Sequence, residues 1–316
     1  MKLKKRALLI ACCFASAIGV MSGVSAQDFP TKVIRFVVPY AAGSVTDIVA
    51  RIVATDMTKT LGQPIIVENR PGADTVIAFD HVARVSPADG YTVLLPYVSG
   101  LVTMPILSKN LQFDPLKDLV PVIDLTDSRL VFGSAAQFPW KTMPELVTAA
   151  RAQPNKLNYG TASPLTKIMM QGFAKDFGVQ AVEVPFTGGG PWTTALGQGT
   201  VEMGFISEGA AVTLGERLRA LAVTGETRSP NYPNTPTFKE LGQPNYRGLI
   251  ISLSVRSGTP KAAIDKLHNA AASALKDAEI RKRLQGAGFD VIENSTPKTA
   301  AQNLAEQAKF FAAVAK

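Results

Sequence analysis

Three stretches of the chain place glycine, serine and threonine where a strand ends and a helix begins. The first is Pro39-Tyr40-Ala41-Ala42-Gly43-Ser44-Val45-Thr46-Asp47, in which Ser44 and Asp47 have capping-box spacing and Gly43 permits a tight turn. The second, Tyr159-Gly160-Thr161-Ala162-Ser163-Pro164, offers Ser163 as N-cap and Pro164 as first helical residue. The third, Pro185-Phe186-Thr187-Gly188-Gly189-Gly190-Pro191, again delivers a proline to a helix start. A helix N-terminus presents unpaired N–H groups and about half a positive charge, so such turns can hold a carboxylate without an arginine. Each turn alone is better explained by capping for stability. Gathered in one cleft, the three suit an anion.

Other chemistries find less support. His81 and His268 are the only histidines; His81 falls beside Asp80 in an expected helix and His268 among polar residues of the tail. Neither adjoins a loop serine or cysteine, so a hydrolytic triad has no local basis. No acidic run has calcium-loop spacing, and Gly188-Gly189-Gly190 lacks the Lys-Ser/Thr of a phosphate-binding loop. We therefore expect no cofactor and no metal. Tyr40, Tyr97, Phe186 and Trp192 flank the candidate turns and fit a ligand stack or the core equally well. Arg70, in the Glu68-Asn69-Arg70-Pro71-Gly72-Ala73 corner, reads as structural and Glu202 as an outward-facing acid, while Glu208 could meet a ligand ammonium.

Positioning these turns requires alternating strands and helices. The spacing of apolar residues predicts strands at 33–38, 65–67, 92–95, 130–132, 157–159, 182–184, 201–206 and 219–223. Helices are expected at 45–61, 73–85, 144–152, 164–177 and 191–196, with a mainly helical tail from Pro260. Such alternation argues for α/β layers with ligand turns beyond the carboxyl ends of the strands. Residues 225–244, rich in Pro, Asn and Thr, read as a passage back from a second domain to the first.

Ahead of this lies a leader. Lys2, Lys4, Lys5 and Arg6 precede an apolar run from Ala7 to about Val20 and the small residues Val24-Ser25-Ala26, the order of a signal peptide cut after Ala26. The run is shorter than the ~20 residues of a membrane span. Leu9-Ile10-Ala11-Cys12 offers a lipoprotein box as the alternative. Both cysteines, Cys12 and Cys13, lie in the leader, so the mature chain should lack thiol chemistry, disulfides and thiolate metal sites. Four of the 33 Lys+Arg and none of the 25 Asp+Glu leave with it, so the mature charge is +4, with no run of like charge that would speak for nucleic acid.

Several blocks together resemble the periplasmic binding components of tripartite tricarboxylate transporters, the Bug-type extracytoplasmic solute receptors. These are Pro39–Gly43 with Thr46-Asp47 and Ala50-Arg51, then Val67-Glu68-Asn69-Arg70-Pro71-Gly72-Ala73, Ala88-Asp89-Gly90-Tyr91-Thr92, Leu157-Asn158-Tyr159-Gly160, Val184-Pro185-Phe186 and Leu221-Ala222-Val223-Thr224. The resemblance covers the whole mature chain. It implies an α/β, two-domain periplasmic binding protein fold of type II, a Venus flytrap with two inter-domain crossings. The corresponding division is a signal peptide at 1–26, a discontinuous first domain at 27–124 and 225–316, and a second domain at 125–224.

It further implies a receptor, not an enzyme, that carries a small carboxylate (a di- or tricarboxylate, an aromatic acid or an acidic amino acid) to inner-membrane transporter subunits as a periplasmic monomer. A ligand sensor, or a hydrolase on the same scaffold, is the alternative. The implied ligand residues are Tyr40, Ala41, Ala42, Ser44 and Thr46 on one side, Ser99 in the loop after the third strand, and Thr161, Ser163, Thr187 and Gly188 opposite. Departures from the family pattern are Ser44 for a second glycine, Ala162-Ser163-Pro164 for a glycine-rich turn, Lys167 for a common histidine, and Glu202 for a frequent aspartate.

Overall fold

The computed structural model describes residues 29–314, apart from 109, 187, 188, 226, 244, 245, 247 and 288. The expected leader lies outside the described residues, as do the candidate ligand residues Thr187 and Gly188. The chain first forms β1 (Ile34–Val38), α1 (Val45–Leu61), β2 (Ile65–Asn69), α2 (Val76–Asp80), β3 (Thr92–Leu94), α3 (Val98–Leu107), α4 (Pro115–Asp118) and β4 (Leu119–Ser128). It continues with β5 (Leu130–Ala135), α5 (Met143–Ala152), β6 (Asn158–Thr161), α6 (Pro164–Phe177), β7 (Val182–Pro185), α7 (Gly189–Gln198), β8 (Met203–Ser207), α8 (Glu208–Leu214) and β9 (Leu218–Val223). The last part holds β10 (Leu249–Arg256), α9 (Lys261–Ala274), α10 (Ala278–Gly286), β11 (Asp290–Val291) and α11 (Pro297–Val314).

The strands make two sheets, one of order β11-β4-β10-β3-β1-β2 and one of order β7-β6-β8-β5-β9. The chain crosses from the first to the second at Arg129 and returns between β9 and β10, so residues 125–128, expected in the second domain, pair with β10 in the first sheet. Strand directions place the site. β10 is antiparallel to both β3 and β4, so β4 runs parallel to β3 and β1 and its carboxyl end leads into the crossing. On the other side Ser207, the last residue of β8, pairs with Leu130, the first of β5, and β6 and β7 run parallel to β8. The carboxyl ends of β1, β2 and β3 therefore face those of β6, β7 and β8 across the crossing, where helix starts and ligands gather in α/β sheets.

Period-two side-chain alternation gives each sheet two cores. Ile34, Phe36 and Val38 pack with α1, α9 and α10, while Val37 between them packs with α2, α3 and α11. In the second sheet α5 and α6 cover one face and α7 and α8 the other.

Helix ends follow the sequence signals. Ser44, Thr142, Ser163, Ser207 and Asp277 cap helices with their side chains, and Gly62 and Gly178 close α1 and α6 in left-handed conformation. The expected helix 73–85 is broken. Ala73, Asp74 and Thr75 all take positive φ (45°, 49° and 77°) after Gly72, α2 starts only at Val76, and His81–Val85 widens into a π-turn. Ser99, expected in a loop, lies in α3.

Trp192 of α7 shows how the second lobe is packed. Its indole is buried, donates from Nε1 to the Phe205 carbonyl at 2.9 Å, and lies over backbone at Gly160 and Gly204, where an added Cβ would sit 2.0 Å and 2.8 Å from the ring. Gly160→Ala forces the ring out of its bed and is expected to destabilise the protein by about 1–3 kcal/mol. A urea titration showing a lowered midpoint at unchanged slope checks this.

Candidate functional site

The turn between β1 and α1 is held by one buried carboxylate. Asp47, with a side chain only 4% exposed, accepts through Oδ2 from the Gly43 N–H at 2.9 Å and from Arg51 Nε at 3.0 Å. Its Oδ1 accepts from Asn69 Nδ2 at 3.0 Å and meets Arg51 Nη2 at 2.9 Å. Asn69, at the end of β2, also donates to the Tyr40 carbonyl at 3.0 Å and accepts from Arg51 Nη2 at 3.2 Å. Burial pushes the Asp47 carboxyl upward, but hydrogen bonds from Arg51, Gly43 and Asn69 and the Arg51 charge outweigh it and hold the group below its ordinary range. The Ser44–Asp47 spacing thus produces a shifted capping box. Ser44 Oγ accepts the Asp47 N–H at 3.4 Å, while the Asp47 carboxylate reaches past Ser44 to Gly43.

This arrangement determines which amides remain. The Ser44 N–H closes onto the Ala41 carbonyl at 3.1 Å. The N–H groups of Ala41, Ala42, Val45 and Thr46 meet no acceptor among the described residues. Ala41 and Ala42 are exposed and Ser44 half-buried, so the first two donors belong to residues at the surface. Thr46 is fully buried, and its hydroxyl lies beside the Tyr97 phenol without a well-formed hydrogen bond. Tyr97 in turn packs against Tyr40 with ring centroids 5.2 Å apart. Burial raises both phenols above their ordinary values, with Tyr97 adding to the effect on Tyr40 and the Thr46 hydroxyl opposing it on Tyr97.

The structure brings Ser99 to the same junction. It lines a cavity of about 10 Å³, room for roughly one water, together with Leu165 and Met169 of α6, Gly248, and Gln307, Phe310 and Phe311. Leu165 stands two residues beyond Ser163, so the starts of α1, α3 and α6 adjoin.

The second turn differs from the first. The N–H groups of Ala162 and Ser163 both donate to Thr166 Oγ1, at 3.0 and 3.1 Å, and the Thr166 N–H returns to Ser163 Oγ at 3.3 Å. Thr161 Oγ1 donates to Glu183 Oε1 at 2.8 Å, and Lys167 Nζ meets Glu183 Oε2 at 2.9 Å. Capping therefore occupies the Ala162 and Ser163 amides, where the first turn leaves those of Ala41 and Ala42 open, and the expected equivalence of the helix starts does not hold.

Other candidates fall into structural roles. Arg70 pairs with Glu68, which also takes Arg35. Trp192 is core. Glu202, expected to face outward, is half-buried and accepts the Asn158 N–H at 2.7 Å, fixing the start of β6. Glu208 is buried, and its Oε1 accepts from Ser229 Oγ at 2.5 Å and from Asn231 Nδ2 at 2.6 Å, which pins the return passage. His81 and His268 are both held below the ordinary histidine range, first by burial and for His81 next by Arg70. The centre that sequence reasoning missed is the Asp47–Asn69–Arg51 network. Its one local trace is the i,i+4 spacing of Asp47 and Arg51.

Two α/β lobes joined by two crossings, with strand ends facing each other and spare amides at one helix mouth, define a two-lobed solute-binding receptor. The model of the tripartite tricarboxylate transporter family receptor matches residues 49–314, and the chain belongs to that family. The UPF0065 protein in gbd 5'region of Cupriavidus necator is 34% identical over 290 residues, covering 90% of this chain and 87% of that relative. Among solved structures, MatC of Rhodopseudomonas palustris with bound malate is 30% identical with a TM-score of 0.73, over 91% of this chain and 100% of MatC. The periplasmic binding protein BugD is 28% identical with a TM-score of 0.70, over 90% and 97%.

Asp47 also gives a pH signature. Its native pKa is depressed below 3.8, so its stabilisation is present above that value and is lost as pH falls through the native one. Asp47→Asn is expected to cost about 1.5–3 kcal/mol near neutral pH, as for hydrogen bonds to a charged group. Chemical denaturation at about pH 7 and about pH 3 should show the gap from wild type narrowing in acid.

Proposed function

We propose that this protein is a periplasmic receptor that captures a small carboxylate between its lobes, catalyses no reaction, and delivers the ligand to the membrane subunits of a tripartite tricarboxylate transporter. One observation carries the reading: the unpaired main-chain donors of Ala41, Ala42, Val45 and Thr46 at the start of α1, opposite the start of α6. A carboxylate there gains several N–H donors and the positive end of a 17-residue helix. The malate bound to MatC supports a di- or tricarboxylate as the ligand. The lobes of this reading follow the sheets, residues 27–128 with the chain from β10 onward forming one and β5 to β9 the other. The leader at 1–26 accounts for export, and the receptor works as a monomer.

On this reading Tyr40, Ala41, Ala42, Ser44 and Thr46 form the anchor and Ser99 its flank. Thr161, Ser163, Thr187 and Gly188 belong to the wall that closes over the other end. Closure follows only from ligands that bind the closed state better than the open one.

Thermal denaturation of the mature protein with malate, adipate, citrate, benzoate and glutamate tests this. A true ligand at a hundredfold excess over Kd adds about 2.7 kcal/mol and raises the midpoint by several degrees. Ala42→Pro, which deletes one donor in an exposed turn, should remove that shift and leave the far-ultraviolet spectrum unchanged. If no carboxylate shifts the wild type, the reading is wrong.

A further inference from the structure

The amides left free at the first turn are free because two side chains fix everything around them. Asn69 holds the Tyr40 carbonyl at one end of the turn and Asp47 holds the Gly43 N–H at the other, and the two side chains bond to each other. Residues 41 and 42 hang between these fixed points, bridged by the single Ser44-to-Ala41 bond. Arg51 binds both Asp47 and Asn69 from the half-exposed side, so the carboxylate beneath the turn is neutralised locally and does not repel an anion above it.

We propose that Asp47 and Asn69 are positioning residues for the anion-binding turn. Neither touches the ligand; together they set the peptide planes of residues 40–43 so that the Ala41 and Ala42 N–H groups converge on one acceptor. This rests on the carboxylate reading of the site and deepens it. Affinity comes from a turn that is already in its binding shape, with its ordering completed when the chain folds. The placement also explains why Asp47 bonds to Gly43 and not to Ala42. A carboxylate that capped the Ala42 N–H would occupy the donor that the ligand needs.

Asp47→Ala, Asn69→Ala and the double variant test this in the mature chain. The first readout needs no ligand: backbone amide NMR relaxation and hydrogen exchange at Ala41, Ala42 and Gly43. Each single variant is expected to mobilise these three amides and speed their exchange about tenfold, while the amides of β6 in the other lobe stay as in wild type. The second readout is the Kd for malate, expected to weaken about tenfold in each single variant as preorganisation is lost. The double variant should be little worse than the weaker single, because both side chains hold one turn. Asp47→Asn, which retains an acceptor for the Gly43 N–H, should recover part of the loss.

A folded Asn69→Ala variant with turn amides as rigid as wild type, or with malate affinity within about twofold of it, overturns the proposal. If Asp47→Ala does not fold, Asn69→Ala carries the test alone. If wild type binds no malate, the amide readout still decides the positioning role, and the affinity comparison is made with whichever of adipate, citrate, benzoate or glutamate shifts the wild type; if none does, the failure falls on the carboxylate reading.

Discussion

A buried carboxylate must find donors, and in this protein that requirement shapes the mouth of the first lobe. An ionised Asp47 accepts only, so its surroundings have to supply N–H groups and positive charge. Arg51, Asn69 and Gly43 supply them. Each bond removes a freedom from the segment between β1 and α1, and what remains is a short arc of backbone whose amides have no acceptor of their own. The same short-range logic recurs on the surface of the second lobe. In α5, Glu145 Oε2 reaches back past the Thr142 cap to the Lys141 N–H at 2.6 Å, as Asp47 does to Gly43, but on an exposed surface with no neighbouring strand to organise the turn.

The lobes that carry these turns are linked more closely than two crossings alone would require. Arg129 is the single residue between β4 and β5, and its guanidinium reaches Asp290 in β11 and Thr227 on the return passage. Glu208 ties that passage to α8 through Ser229 and Asn231. α11 forms a further link. Asn303 donates to Asp124 of the first sheet at 2.8 Å, whereas Lys175 of α6 donates to the Ala313 carbonyl at 3.0 Å. Between these points Phe310 packs against Tyr246 with centroids 5.7 Å apart. α11 and the two crossings therefore tie the same pair of sheets together, and the cavity beside Ser99 and Phe310 lies next to α11.

Much of the fold was legible because local signals decide it. Caps at Ser44 and Ser163 start their helices as the sequence indicates. β4 and β10 were not legible. Both are covered on two faces, so neither alternates, and β4 includes Pro121 while β10 places Ser252 and Ser254 in the interior. α3 contains Gly100 and Pro105, which read as breakers, and packing against α11 and β10 overrides them. The left-handed run 73–75 carries no glycine at all after Gly72. The site was legible in part. Ser44 and Gly43 announce a turn, but the bond from Asn69 to Asp47 spans 22 residues and depends on β1 pairing with β2, which no local spacing records.

The two walls of the cleft are built from different materials, and this has consequences for what each can recognise. Main-chain donors at residues 41–46 are set by backbone geometry and remain when side chains change, so they suit the group that every acid shares. The opposite wall offers side chains instead. There Glu183 is already engaged at both oxygens, by Thr161 and by Lys167, while the Lys167 ammonium is half-exposed with donors to spare. An ammonium group approaching this wall finds no uncommitted oxygen on Glu183. A second acid group competes with Glu183 for Lys167, and the balance depends on how far its chain reaches. On the proposed reading, discrimination among acids falls to this second wall, where side chains such as Lys167 can be exchanged without dismantling the anchoring turn.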